Sequence, residues 1–256
     1  MAFNIKDYEL GKRPLWAILA SVIIFIALAF FALNCVAMGD GSRLLPIYSV
    51  ETPEKKVAVT FNCAWAADDI PKILEILEKY EAKATFFILG NWAKDNPSAV
   101  KMIAEKGHEI GTHSNTHPDM AKLSEEEIRR ELLRSCENIE RAGGGTPNLF
   151  RAPSGSYSNT LVKTAEEMGF RMIQWDTDSR DWKDHSAEEM VESVTKNVRE
   201  GSIILFHSGK ENTLAALPQI LEILKNGGYE FIKVSDLIYP ENYTIDHTGR
   251  QHSFVK

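Results

Sequence analysis

Residues 109–118 read EIGTHSNTHP, in which a short apolar stretch ends in two histidines, His113 and His117. The stretch predicts a buried strand, and six more of the same kind are separated by helical patterns. Strands that alternate with helices are typical of α/β proteins, and here they predict a distorted (β/α) barrel of about seven parallel strands, closed or nearly closed. The predicted strands are Val57–Cys63, Lys83–Leu89, Glu109–Ser114, Leu149–Pro153, Phe170–Thr177, Ser202–Ser208 and Tyr229–Val234.

Helical patterns fill the intervals between these strands. Asp69 is placed to cap the first helix, and the Ser-Glu-Glu-Glu sequence that starts at Ser124 is typical of a capping box. No Gly-x-Gly-x-x-Gly follows the first strand and no phosphate loop is present, so the sequence argues against a nucleotide cofactor. The predicted helices are Ile70–Tyr80, Pro97–Lys106, Ser124–Ala142, Thr160–Met168, Ala187–Arg199 and Leu214–Leu224.

Composition bounds the class of protein and its partners. The 256 residues are 44% hydrophobic and 25% charged, which is ordinary for a globular chain with one substantial core. The formal net charge of -7 argues against nucleic acid as the main partner. The three cysteines form neither a disulfide framework nor a Cys-x-x-Cys metal site, so cysteine usage does not fix the redox compartment.

The amino-terminal region contains an uncharged apolar run, LWAILASVIIFIALAFFALNCVAM, at residues 15–38. Roughly 20 apolar residues cross the core of a bilayer, so the run predicts one transmembrane signal anchor, with a buried core helix as the alternative. Lys6, Lys12 and Arg13 precede it, and the positive-inside rule then predicts an extracytoplasmic domain held at the cell membrane. The predicted divisions are a cytoplasmic tail at 1–14, the anchor at 15–38, a linker at 39–55, an α/β domain at 56–240 and a polar, peripheral tail at 241–256.

Polar side chains suited to hydrolysis come just after predicted strands, and loops at the carboxyl ends of barrel strands share one face. His113 and His117 are four residues apart, so on one helical turn both imidazoles would face a single cation; chance spacing is the alternative. Arg151 opens an Arg-Ala-Pro-Ser-Gly turn. It could orient a carboxylate while backbone N–H groups of the turn stabilise an oxyanion, or it could be a solvated surface arginine.

A second group of residues suggests acid catalysis. The segment from Trp175 to Trp182 contains both tryptophans and three aspartates, among them Asp178 and Asp181. A carboxylate beside a histidine favours the protonated ring and fixes its orientation, as a general acid requires. His207, at the mouth of an apolar strand, is a histidine of that kind. Solvated acids beside core aromatics, and a purely structural histidine, are the alternatives.

In combination, these motifs resemble those of the polysaccharide deacetylase (NodB homology) family, carbohydrate esterase family 4. The order is Thr-Phe, His-x-x-x-His, Arg-x-Pro-x-Gly, Asp-x-x-Asp-Trp and Leu-x-His, each after its own strand, from about Val57 to Ile238. The first motif, Phe-Asn-Cys-Ala-Trp65, is similar to the sporulation-associated PdaB-type branch, in which a membrane anchor also precedes the domain. The resemblance implies a distorted (β/α) barrel that acts on N-acetylated sugars such as cell-wall glycan, at the cell membrane and in the forespore or spore envelope.

The resemblance also implies roles for individual residues. The two histidines of the second motif would bind a divalent metal, commonly zinc, with cobalt or manganese as alternatives. Trp182 and Leu205 would line the pocket for the acetyl methyl group. The remaining implied roles are the metal ligands His113 and His117, orientation of the base by Arg151, the oxyanion contact from the backbone N–H of Ser154, the general acid His207 and its tuning by Asp181.

The first motif departs from the family pattern. The family has two aspartates there, a general base and a third metal ligand, where this chain has Asn62 and Cys63. An asparagine takes no proton at neutral pH. Cys63 could be a thiolate ligand or simply a small buried residue, and Asp68 or Asp69 could supply a carboxylate instead, with Asp68 favoured because Asp69 has a use as a helix cap.

Two hypotheses follow from this sequence. The first is a membrane-anchored, metal-dependent deacetylase that hydrolyses N-acetyl groups of cell-wall glycan. The second is a catalytically impaired, glycan-binding protein of the same fold. Because the position of the third ligand is altered, the metal is expected to be weakly bound or absent.

Overall fold

The structure, a computed structural model, describes residues 43–183 and 185–254. The predicted cytoplasmic tail at 1–14 and anchor at 15–38 lie outside these residues, so their prediction stays a prediction. Within the described ranges, no helix has the length and apolar character needed to cross a membrane.

The described residues alternate between strands and helices, as the sequence predicts. The strands are β1 Ser49–Val50, β2 Lys56–Cys63, β3 Ala84–Ile88, β4 Glu109–Thr112, β5 Leu149–Phe150, β6 Arg171–Met172, β7 Thr177–Asp178, β8 Ile203–His207, β9 Glu230–Phe231, β10 Tyr243–Ile245 and β11 Arg250–Ser253. The helices are α1 Ile70–Lys79, α2 Gly90–Asp95, α3 Pro97–Glu105, α4 Glu125–Arg141, α5 Asn159–Glu167, α6 Ala187–Asn197, α7 Glu211–Asn226 and α8 Val234–Leu237. Short 3-10 turns lie at Met120–Lys122, Pro153–Gly155 and Asp181–Lys183.

The main sheet is parallel and has eight strands in the described part of the chain. Its order is β6-β5-β4-β3-β2-β8-β7, and β9 also pairs with β2. The predicted α/β class with a parallel sheet is therefore confirmed. The edge strands β6 and β7 do not pair with each other in the described residues, so the sheet is a half-barrel and not a closed barrel.

The predicted strand Phe170–Thr177 is divided between the two edges of this half-barrel. Ile173 N–H still donates to Phe150 on the β5 side, at 2.8 Å, whereas Asp176 N–H donates to Ile203 on the β8 side, at 3.2 Å. The residues between them cross the open side of the sheet. One apolar run thus supplies two short strands that are neighbours in sequence but lie at opposite edges of the sheet.

The segment before β2, predicted as a linker, packs into this open side. Ile47 forms a parallel bridge with Ile173, and Ser49 an antiparallel bridge with Ser202. The side chains of Ile47 and Val50 are buried in the cluster that fills the inside of the half-barrel. The segment therefore substitutes for a missing strand between the two edges.

The carboxyl-terminal residues, predicted as a peripheral polar tail, form a second sheet. Its order is β1-β11-β10, with β11 parallel to β1 and antiparallel to β10. Gln251 is fully buried, and its side-chain amide exchanges two 2.8 Å hydrogen bonds with the backbone N–H and C=O of Tyr239. Polar side chains here satisfy buried backbone groups, so the segment predicted as a polar, peripheral tail instead contributes two strands to a sheet.

The helices cover the outside of the half-barrel with the faces that the sequence pattern indicates. α1 buries Ile70, Ile73, Leu74 and Leu77 against the sheet, and each such side chain contributes roughly 1.5–3 kcal/mol relative to exposure. The capping box predicted at Ser124 is present at the start of α4.

Helix α2 was not predicted, because it begins with glycine, a poor helix former, and ends before an Asn-Pro pair. Gly90 is dictated by close packing, since a Cβ there would lie 2.4 Å from Oδ1 of Asn115 and 2.6 Å from Cα of Ser135.

Candidate active site

Loops at the carboxyl ends of the parallel strands surround a cavity of about 330 Å³. Because all these strands run the same way, the residues that follow them meet at one face although they are far apart in sequence. The lining residues are Asn62, Ala64, Trp65, His113, His117, Ser154, Trp175, Asp178, Trp182, Leu205, His207 and Lys210.

The two histidines of the second motif lie together at this cavity, with ring centroids 5.2 Å apart. They do so in a loop after β4 and not on a helical turn, so the predicted local structure is wrong. Ser114 and His117 have positive φ angles of 72° and 63°, and His117 N–H donates to the hydroxyl of Ser114 at 3.1 Å. The backbone turns at these two residues, and this turn, rather than a helix, brings the two rings together.

Burial keeps both imidazoles neutral. Burial lowers the pKa of His113 well below the usual value, and the partial desolvation of the exposed His117 also lowers the pKa of that ring. His113 Nδ1 donates to the backbone oxygen of Arg151 at 2.8 Å, which leaves its Nε2 as an acceptor for the cavity. At neutral pH the pair therefore offers acceptor nitrogens and no positive charge.

Arg151 lies beneath the cavity and is fully buried. Its Nη1 donates to Thr60 Oγ1 at 2.9 Å and to Asn62 Oδ1 at 3.1 Å. Burial lowers the pKa of the guanidinium to about 9, and the nearby Asp178 carboxylate acts in the opposite direction. The ring of Phe87 lies 4.1 Å from the guanidinium carbon. Arg151 is thus a charged group that orients the side chain at position 62, where it meets an amide.

His207 and Asp181 form a buried pair. Asp181 Oδ1 accepts from His207 Nδ1 at 2.6 Å, while Oδ2 accepts from the backbone N–H of His207 at 2.6 Å and from Thr213 Oγ1 at 2.9 Å. These bonds fix the ring and leave Nε2 for the cavity that His207 lines. The arrangement suits proton donation to a leaving group at that nitrogen.

Apolar and aromatic side chains form the walls. Leu205 is almost fully buried, and Trp182 is half exposed with its Nε1 donating to Asp178 Oδ2 at 3.4 Å. Ser154 has a positive φ of 54° in the turn Pro153–Gly155, which presents this residue to the cavity. Trp65 packs edge-to-face against His207, with centroids 5.0 Å apart.

Two residues predicted as alternative metal ligands lie elsewhere. Successive side chains of a strand point to opposite sides, so Asn62 faces the cavity and Cys63 faces the core between sheet and helices. Burial raises the pKa of the Cys63 thiol to about 12, which keeps it protonated. Asp68 is exposed and does not line the cavity. The prediction that either completes a ligand set is thereby corrected.

Asp69 occupies the N-cap position of α1, but its side chain does not cap the helix. Its Oδ2 accepts from Gly209 N–H at 2.6 Å instead. Asp178, which the sequence placed among the candidate carboxylates, does line the cavity. Sequence reasoning gave no site role to four further lining residues, Ala64, Trp65, Trp175 and Lys210. Trp65 and Trp175 belong to motifs visible in the sequence and could have been found there, whereas Lys210 has no motif signal.

Known proteins with similar sequences identify the family of this chain. The sequence profile described as polysaccharide deacetylase matches residues 49–173. A peptidoglycan-N-acetylglucosamine deacetylase of Bacillus cereus is 36% identical over 196 residues, which are 75% of this chain and 92% of that protein. The chain belongs to the polysaccharide deacetylase family. The Listeria monocytogenes peptidoglycan-N-acetylglucosamine deacetylase PgdA is 34% identical over 85% of this chain, which spans 46% of that longer protein.

Solved structures similar to this chain include a pseudoenzyme of the family. A carbohydrate esterase family 4 pseudoenzyme from Bacillus anthracis is 35% identical, with a TM-score of 0.73, over 83% of this chain and 74% of that one. A mutant of that pseudoenzyme is described as having restored enzymatic activity; it is 37% identical, with a TM-score of 0.73, over 77% of this chain and 72% of that chain. Members of this polysaccharide deacetylase fold therefore include both enzymes and pseudoenzymes.

The donor atoms at this cavity do not match the metal site that the resemblance implies. His113 and His117 supply two nitrogens, and the described residues contain no cluster of three His, Cys, Asp or Glu side chains that could hold a metal ion. Asn62 stands where the carboxylate base is expected, and its Oδ1 accepts from Arg151. In this member of the polysaccharide deacetylase family the His207–Asp181 pair is fully hydrogen-bonded, whereas position 62 has an amide and no carboxylate.

Proposed function

We propose that the chain acts on N-acetylated cell-wall glycan and hydrolyses its N-acetyl groups, slowly compared with relatives that have a carboxylate at position 62. The observation that carries this proposal is the His207–Asp181 pair, with three hydrogen bonds on one buried carboxylate beside the cavity. Maintaining a buried carboxylate and a histidine in this geometry costs folding free energy, which is expected where proton transfer is needed.

Each remaining group has a defined part in such a reaction. The acetyl methyl group would pack against Leu205 and Trp182, and the turn at Ser154 would direct a backbone N–H to the developing oxyanion. Protonated His207 would donate from Nε2 to the leaving amine. Water near His113 and His117 would find acceptor nitrogens but no carboxylate at position 62 to take its proton, so its attack would be slow.

A second candidate function is glycan binding without turnover. Asn62 favours it, since the neutral amide at the position of the usual base does not take a proton from water at neutral pH. The similarity to a family 4 pseudoenzyme supports the same candidate. In that case the tryptophans of the cavity would bind the sugar. The His207–Asp181 pair would then only stabilise the loop that contains Asp181.

Acetate release separates the two candidates. The full-length chain is incubated with N-acetylated muropeptides and chito-oligosaccharides, and His207→Ala serves as the matched control. Release above that control supports the deacetylase, and its absence together with calorimetric binding supports the glycan-binding protein. If neither acetate release nor binding is detected, both candidates are wrong.

We also propose that residues 15–38 anchor the chain and that the domain lies outside the cell membrane, in the forespore or spore envelope. The uncharged run and the preceding Lys6, Lys12 and Arg13 support the orientation, and the Phe-Asn-Cys-Ala-Trp motif supports the sporulation context. Recovery in the soluble fraction of disrupted cells, or resistance to protease added outside intact protoplasts, would contradict this placement.

A further inference from the structure

The loop after β8 is fixed against the loop after β2 by two features around Gly209. The Gly209 N–H donates to Asp69 Oδ2 at 2.6 Å. Its φ is 74°, and a Cβ at this position would lie 2.8 Å from the backbone nitrogen of Ala66 and 3.0 Å from Cβ of Trp65. A residue without a side chain is therefore required, and the close approach places Lys210 beside Trp65.

Trp65 joins this lysine to the proton-donating histidine. The Trp65 carbonyl accepts from Trp92 Nε1 at 2.6 Å, which fixes its backbone. The indole contacts His207 edge-to-face at 5.0 Å, and the Lys210 ammonium lies 4.3 Å from the indole centroid. An ammonium, an aromatic ring and an imidazole are thus contiguous along one wall of the cavity.

The charge of Lys210 is available to a ligand. The side chain is half-buried and lines the cavity, and in residues 43–183 and 185–254 no ion pair joins it to a carboxylate. Asp69, on the neighbouring loop, accepts from Gly209. Asp178, the carboxylate in the described lining, accepts from Arg180 N–H at 2.7 Å and from Trp182. This wall consequently attracts an anion while the other charges of the site are engaged.

We propose that Lys210 and Trp65 form a subsite for the carboxylate of an acidic N-acetylated amino sugar, of the N-acetylmuramic acid type. The sugar ring would stack on Trp65 and its carboxylate would bind the Lys210 ammonium, next to His207. The inference rests on the proposed function, since it specifies which sugar of the glycan the same cavity selects. A neutral N-acetylglucosamine unit would have the stacking contact but not the ionic one.

The test is calorimetric titration of the full-length chain with three probes. They are the disaccharide of N-acetylglucosamine and N-acetylmuramic acid, its methyl ester, and neutral di-N-acetylchitobiose. Because a hydrogen bond to a charged group in a partly desolvated site is substantial, we expect the free acid to bind about tenfold more tightly than the ester. Added salt should reduce this preference, since the pair is only half-buried.

Lys210→Met keeps the aliphatic length and should remove the preference, whereas Lys210→Arg should retain it. Lys183→Met is the matched control, because the Lys183 ammonium also lies over a tryptophan, Trp182 at 4.6 Å, but Lys183 does not line the cavity. Equal affinity for acid and ester in the parent, or a preference that survives Lys210→Met, overturns the inference while neutral sugar binding still supports the proposed function. If none of the three probes binds, the proposed function fails and the subsite with it.

Discussion

Replacing Asn62 by aspartate should convert the buried amide into the missing base. The two side chains have nearly the same shape, and Asn62 Oδ1 already accepts from Arg151 Nη1 at 3.1 Å. The substitution therefore needs no new space. It places a carboxylate at the cavity and against a guanidinium whose pKa burial has lowered to about 9.

The expected magnitude follows from these contacts. The guanidinium already makes a charge-assisted hydrogen bond to the Asn62 amide, so the substitution adds the attraction of an ion pair, which the desolvation of the new carboxylate offsets in large part. Stability should therefore change little. The guanidinium also holds the pKa of the new carboxyl low, so it is ionised and able to accept a proton from water at neutral pH. General base catalysis typically contributes about 10²–10⁴-fold in rate.

The assay is acetate release by Asn62→Asp and by the parent under identical conditions. We expect an increase of about 10²-fold or more, and the same substitution in a His207→Ala background should show none of it. A folded Asn62→Asp variant that releases no more acetate than the parent would refute the assignment of position 62.

Asp181→Asn should lower stability by about 2–3 kcal/mol, seen as a lower Tm, because the amide cannot match the three donors now bound; an unchanged Tm would argue against the pair's rigidity. The His113 and His117 pair should bind zinc weakly, with less than one equivalent found in metal analysis. Loss of an outer-shell partner alone lowers metal affinity about 10–100-fold, and a missing ligand should lower it at least as much. One tightly held zinc per chain after gel filtration would contradict this. Burial, with Lys83 and Lys106, lowers the pKa of His108 from 6.5 to about 4. As the pH falls, the unfolded chain therefore takes up a proton at His108 before the folded chain does. The free energy of unfolding should then decrease between about pH 6.5 and pH 4, by about 1–2 kcal/mol after allowance for partial exposure. His108→Asn should flatten that part of the pH profile in denaturant titrations.

Sequence alone predicted the elements whose signals are local. The strand β2 and the helix α4 follow from short-range apolar patterns and a capping box, and both appear close to the predicted bounds. The position of His207 and Arg151 after parallel strands was also enough to expect them at one face. Such features depend on periodicity and strand direction, which a linear pattern contains.

Tertiary structure decided what depends on partners far away in sequence. The run Phe170–Thr177 has one continuous apolar pattern, yet hydrogen bonds to β5 and β8 divide it between two sheet edges. The tail forms a sheet because β11 finds β1, about 200 residues earlier, which no local signal announces.

At the site, sequence named the departure from the family pattern, and only the structure showed its physical consequence. The strand register turns Cys63 into the core, and the contact of Gly209 with Asp69 places Lys210 over Trp65. Sequence specifies which side chains are available, whereas their direction and charge environment arise from packing between loops of different strands.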